Sequence, residues 1–188
     1  MNTTESNIAS ALHESPAPTP RARQLSDAAY QRIDREVSKF PPEGKSSAVM
    51  AALGIAQDEK GWLTLEVMAD VADYLSMPAI AVQEVATFYN MYNVRPVGKH
   101  KITICTNLPC ALSGGARAGE YLKHKLGIDF RETTDDGDFT LQEGECMGAC
   151  GDAPVMLVDN KRMVSWMSDD KIDALLDELK ATSVSEAK

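Results

Sequence analysis

The apolar positions of this chain change their period near residue 95. From 26 to 94 they recur every three or four residues, as on one face of an α-helix. Tyr30, Ile33, Val37 and Phe40 make a first stripe, which Pro41-Pro42 stops because the residue before a proline is pushed out of the helical region. Val49, Met50, Leu53 and Ala56 make a second, with Ser46 or Ser47 as its cap and Gly61 at its end. Thr64 caps a third helix, which carries Glu66 in its first turn and turns Met68, Val71, Ala72 and Leu75 inward. Pro78 suits the first turn of a fourth, whose stripe is Val82, Val85, Phe88 or Tyr89, and Tyr92. Four short helices with short connections predict a small bundle.

Past the linker Asn93-Val-Arg-Pro-Val-Gly98 the pattern turns to alternation. Residues 100–105 place Ile102 and Ile104 on one side, as a half-buried strand does. Ser113 then opens a helix with Ala118, Tyr121, Leu122 and Leu126 inward and Gly127 at its end. A strand over 139–141 follows the Asp136-Gly137 turn. Residues 155–158 and 162–165 flank Asp159-Asn160 as a hairpin, and Ser168 caps a last helix bearing Ile172, Leu175, Leu176 and Leu179. Strand, helix, strand, hairpin and helix make a layer of helices on a sheet, so the expected fold class is α/β (α+β). The expected division is a helical bundle at 25–95 and a sheet domain at 96–180. Residues 1–24, with the proline-rich run Ser15-Pro-Ala-Pro-Thr-Pro20, and residues 181–188 are expected to be disordered tails.

Composition narrows the possibilities. Of 188 residues, 44% are hydrophobic and 25% charged, enough to bury a core. There is no apolar run long enough to span a bilayer and no apolar centre of a secretory signal in the first 24 residues. Arg21 and Arg23 are offset by Glu5 and Glu14, which argues against a mitochondrial presequence. The expectation is a chain without direct membrane insertion, in a reducing compartment. A net charge of -9, from 28 acidic against 19 basic residues, argues against nucleic acid as a partner.

The four cysteines fall in two tight pairs, Cys105 and Cys110 as C-x4-C, then Cys146 and Cys150 as C-x3-C. In a reducing compartment these thiols read as metal ligands rather than disulfides. Four soft sulfurs suit zinc or an iron–sulfur cluster, and the spacing leaves both open. Cys105 is expected to end a strand, Cys110 to lie in the loop before a helix, and the second pair to lie in the loop 144–151. Gly114, Gly115, Gly148 and Gly151 would let backbone N–H groups approach the sulfurs, while Pro109 and Pro154 stiffen the loops. No other constellation carries chemistry. The glycines at 114, 115 and 119 form neither a dinucleotide fingerprint nor a P-loop, and His13, His100 and His124 have no spare thiol to make a nucleophile.

Several segments, in this order, resemble one family. Gly61-Trp62-Leu63, Val85-Ala-Thr-Phe-Tyr89, Pro96-Val-Gly98, Cys105-Thr-Asn-Leu-Pro-Cys110, Glu132-Thr-Thr134, Asp136-Gly137 with Phe139-Thr140, Glu145-Cys-Met-Gly-Ala-Cys150 and Ala153-Pro154 are similar to the 24-kDa (NuoE-type) subunit of NADH:quinone oxidoreductase, respiratory complex I. The likeness runs from about residue 26 to 180. It implies a helical bundle followed by a thioredoxin-like domain with one [2Fe-2S] cluster on Cys105, Cys110, Cys146 and Cys150, and no catalytic residue on this chain. FMN and NADH would sit on a partner, the 51-kDa-type flavin subunit, with the large iron–sulfur subunit as a further neighbour. The resemblance places such a subunit peripherally, on the NADH side of the membrane: the cytoplasmic side of a bacterial inner membrane, which the weak presequence favours, with the mitochondrial matrix side as the alternative. Glu143, Glu145 and Asp152 flank the second pair and are expected to hold the cluster potential low. The rival roles are the equivalent diaphorase subunit of an NAD-linked formate dehydrogenase or bidirectional hydrogenase, and a zinc-stapled adaptor.

Overall fold

The computed structural model describes residues 22–186, so the expected tail at 1–24 lies outside it except for its last three residues. Helix α1 (Asp27–Val37) begins at Ser26, whose hydroxyl accepts the Ala29 N–H, and buries Tyr30 and Ile33. A 3-10 segment (Pro42–Ala48) leads into α2 (Val49–Lys60), which ends at Gly61 in a positive-φ conformation that a β-carbon disfavours. The expected serine cap of α2 is corrected here. Residue 48 holds the cap position, and Ser46 and Ser47 are already inside the preceding helical turns, where their hydroxyls cap nothing. Thr64 does cap α3 (Leu65–Leu75), accepting from the Val67 N–H at 3.2 Å.

Helix α4 (Ala79–Phe88) follows Pro78 and buries Val82 and Ala86. It ends one turn sooner than its apolar stripe, because Tyr89 turns extended. Phe88 is left 80% exposed, while Tyr92 folds back into the core and its hydroxyl donates to the Met50 carbonyl. A buried carboxylate, Asp70, accepts the Tyr30 hydroxyl at 2.5 Å and the Gln24 N–H at 2.9 Å, tying the start of α1 to α3. Burial, with that hydrogen bond next, pushes the Tyr30 phenol well above its ordinary range.

The second unit is a four-stranded sheet in the order β2-β1-β3-β4: β1 (His100–Cys105), β2 (Phe139–Gly144), β3 (Met156–Val158) and β4 (Arg162–Val164). Strand β1 pairs parallel with β2 and antiparallel with β3, and β3 and β4 form the hairpin. Asp159 and Asn160 both hold positive φ in its turn, as the tight hairpin requires. Between β1 and β2 come the short α5 (Leu108–Leu112) and α6 (Gly115–Leu126), the latter ended by Gly127 at φ 69. Ser113 is the residue after α5 rather than the cap of α6; that position belongs to Gly114, at φ 96.

Strand β1 is buried nearly throughout, Lys101 and Thr103 included, where one wet face was expected. It is an inner strand, and the side away from the helices is covered as well. Helix α7 (Asp169–Glu186) packs Ile172, Leu175, Leu176 and Leu179 into the sheet core with Ala118 and Leu122 of α6. It continues to Glu186 where a tail was expected from 181: no glycine or proline interrupts 180–186, and the Thr182 hydroxyl bonds back to the Glu178 carbonyl, while residues 187 and 188 lie outside the described residues.

The two units meet at the linker. Asn93 donates its side-chain amide to the Gly61 carbonyl and its backbone N–H to Gln57, and accepts the Lys101 ammonium at 2.6 Å. The Lys161 ammonium reaches Asp58 at 2.8 Å, and Asn160 bonds the Met91 carbonyl. Burial lowers the Lys101 ammonium to about 8, against the opposing pull of Asp159.

Candidate metal centre

Two parallel strands put their carboxyl ends on the same edge of a sheet, which is where open α/β folds assemble sites. The register pairs Cys105, the last residue of β1, with Gly144, the last of β2. Both cysteine loops therefore leave the sheet side by side. Cys110 returns to the site on α5, a helical placement where a loop was expected, and Cys146 and Cys150 lie in the loop that follows β2. Cys105 and Cys110 are buried, Cys146 and Cys150 exposed, and all four are free thiols.

The structure sets the four residues singled out in the sequence as two pairs, Cys105 beside Cys110 and Cys146 beside Cys150. The sulfurs of Cys146 and Cys150 stand 3.7 Å apart. Two sulfurs on one tetrahedral metal with bonds of about 2.3 Å would be separated by about 3.8 Å, so this pair already has the spacing of one metal's edge. Cys110 lies beside Cys105, and burial together with that contact pushes its thiol up; the Val155 N–H pulls the other way. The Cys150 thiol is raised by its hydrogen bond to Cys146 and by the charge that Cys146 and Cys105 would carry. Mutual repulsion of this kind is what a bound cation relieves. Among the described residues, however, no group of three or more His, Cys, Asp or Glu side chains closes around a single-ion position. The thiols are organised as two pairs.

Val155, which no sequence pattern singles out, joins the pairs from behind. Its carbonyl accepts the Cys105 N–H at 3.1 Å, its N–H faces Cys110, and its side chain packs in a small core with both cysteines. The glycines divide. Gly148 meets the expectation of a backbone donor, its N–H lying 3.4 Å from the Cys146 sulfur with φ at 76. Gly115 serves another purpose: a β-carbon there would stand 2.8 Å from the carbonyl oxygens of Cys105 and Cys110, so only glycine lets α6 start against the thiol segment. Gly114 takes φ 96, and Gly151 has open space around it. Of the flanking acids, Glu143 accepts the Thr106 hydroxyl at 2.6 Å and Glu145 the Asn107 amide at 2.7 Å.

The model of the thioredoxin-like [2Fe-2S] ferredoxin family matches residues 33–180. The chain is 43% identical over 143 residues to the E-type component of the NADH-quinone oxidoreductase of Rickettsia felis, covering 76% of this chain and 85% of that one. Against the second subunit of the NADH-quinone oxidoreductase of Thermus thermophilus, identity is 36% over 149 residues, 79% of this chain and 82% of the relative. Among solved structures, an NAD+-reducing [NiFe]-hydrogenase in its H2-reduced state superposes with a TM-score of 0.60 at 22% identity. That match covers 69% of this chain and 22% of the hydrogenase chain, and it is a likeness of fold.

Proposed function

The chain belongs to the thioredoxin-like [2Fe-2S] ferredoxin family, and from that premise we propose that it is the electron-transfer subunit of an NADH:quinone oxidoreductase, with one [2Fe-2S] cluster held by Cys105, Cys110, Cys146 and Cys150. The observation that carries this reading is the delivery of two thiol pairs to one sheet edge by the parallel β1–β2 register. A dinuclear cluster takes two thiolates on each metal, which matches the pairing of the sulfurs.

When bound, such a cluster supplies reversible one-electron transfer. The chain's own residues supply the setting. Burial of Cys105 and Cys110 keeps water from one pair, while exposure of Cys146 and Cys150 leaves the other facing the surface through which an electron would pass. The Gly148 N–H points at the Cys146 sulfur, and the Val155 N–H beside Cys110 favours negative charge on that thiol. The uncancelled carboxylates of Glu143 and Glu145 act in the opposite sense.

NADH gives up a hydride, so a flavin must stand between it and a one-electron carrier. The reading therefore assigns FMN and NADH to a partner subunit and makes the helical unit a docking module for that subunit and for the large iron–sulfur subunit. It also sets the chain at the periphery of the complex, on the NADH side of the membrane. No helix among the described residues is long and apolar enough to cross a membrane. The test is electron exchange. The chemically reduced chain, mixed anaerobically with the oxidised flavin subunit, is expected to reoxidise as the flavin bleaches, two chains per flavin. A chain that stays reduced beside the bound flavin subunit would overturn the assignment.

A further inference from the structure

The backbone ladder between β1 and β2 stops at Cys105 and Gly144, and no backbone hydrogen bond between described residues continues it. Beyond that point the two thiol-bearing segments are joined by apolar packing of Met147 and Ala149 against the small core of Cys105, Cys110 and Val155, and by a pair of side-chain hydrogen bonds. The Thr106 hydroxyl donates to Glu143 Oε1 at 2.6 Å, and the Asn107 amide donates to Glu145 Oε2 at 2.7 Å. Thr106 and Asn107 directly follow Cys105; Glu143 and Glu145 lie just before Cys146. Each bond thus runs from the loop of the first thiol pair to the root of the second.

An exposed hydrogen bond ordinarily changes stability little, because water replaces the lost partner. Position makes these two different. A cluster shared by two thiol pairs is released when the pairs separate, and the second pair hangs from β2 by a loop whose sulfurs are exposed. Short bonds to ionised acceptors are the stronger kind, and two of them in adjacent positions resist rotation as well as stretching. Both donors are neutral, so the carboxylate charges are held in place without being cancelled. The acids therefore have two separable roles, one geometric and one electrostatic.

We propose that Thr106–Glu143 and Asn107–Glu145 form a two-bond clamp that holds the thiol loops together, making these four positioning residues for the cluster. This rests on the cluster reading above. The experiment follows iron release to an excess of chelator, by loss of visible absorbance, in the full loaded chain, together with the midpoint potential. Cutting the donors in T106V/N107A leaves both charges and is expected to speed iron release about tenfold, since two bonds to charged acceptors are lost, with little change in potential. Thr106→Ser, which keeps the hydroxyl, should release iron at the wild-type rate, whereas T106V alone should release it faster. E143Q/E145Q keeps acceptor oxygens but removes both charges, and is expected to hold iron more nearly as the wild type does while its potential rises. Iron release from T106V/N107A at the wild-type rate would overturn the clamp. Were the wild-type chain to hold no iron and sulfide at all, the cluster reading would fail instead, so the two failures are distinct.

Discussion

A hydrogen atom is the whole side chain at Gly115, and the site depends on it. A methyl group there would meet two carbonyl oxygens at 2.8 Å, both belonging to cysteine ligand candidates, and neither belongs to a flexible side chain that could move aside. Gly115→Ala is expected to lower both melting temperature and iron content, read by thermal unfolding and metal analysis; a fully loaded variant of unchanged stability would contradict the geometry. Lys101 is the other residue whose surroundings matter more than its type. Its ammonium is lowered from 10.5 to about 8 by burial, so between those values the unfolded chain binds more protons and stability rises with pH. Below pH 8 the cost of burying the charge is constant. The gain across the window is at most about 3 kcal/mol. Urea unfolding of the wild type and Lys101→Met should show the wild type gaining relative to the variant as pH is raised from 8 to 10.5, whereas parallel curves would show that the ammonium titrates normally. The cysteines were legible because their chemistry lies in their side chains. Burial of Lys101 was not, because alternation in the sequence shows one apolar face and says nothing about what covers the other.

At the scale of elements, periodicity identified the helices and strands well and their ends less well. Thr64 and Ser46 look equally able to cap a helix, yet only Thr64 has an N–H to accept from, since the backbone before α2 is already helical. Thr64→Ala should therefore cost about 1 kcal/mol of stability, while Ser46→Ala and Ser47→Ala should each stay within about 0.5 kcal/mol of wild type; equal losses at all three would restore the serine cap. Helix α4 shows the same limit from its other end. Its apolar stripe reaches Tyr92, but the chain leaves the helix at Tyr89 and brings Tyr92 into the core by another route. The parallel pairing of β1 with β2, which fixes the site, was beyond a reading of local pattern. It is a relation between segments separated by two helices, and only the order of elements hinted at it.

Across the whole molecule the apolar interior divides. One cluster of buried residues runs from Leu25 to Tyr92 within the helices, a second joins β1 to β4 with α6 and α7, and a third surrounds Cys105 and Cys110. The contacts that join the units are polar and centre on Asn93, Lys101, Asp58 and Lys161. A chain lacking residues 1–95 is accordingly expected to keep the metal centre and lose association with the flavin subunit, checked by metal analysis and co-purification; retained association would move docking onto the sheet domain. The change of apolar period near residue 95 falls between the helical cluster, whose last member is Tyr92, and the sheet cluster, whose first is Ile102. The polar joint between them was not readable from sequence, because single Asn and Lys residues carry no periodicity. Whether the four thiols hold a [2Fe-2S] cluster is decided by the iron and acid-labile sulfide content of the anaerobically purified chain, with an EPR spectrum after dithionite reduction. A [2Fe-2S] carrier gives two irons, two sulfides and one S = 1/2 signal per chain; stoichiometric zinc without a signal would contradict it and leave a structural adaptor in its place.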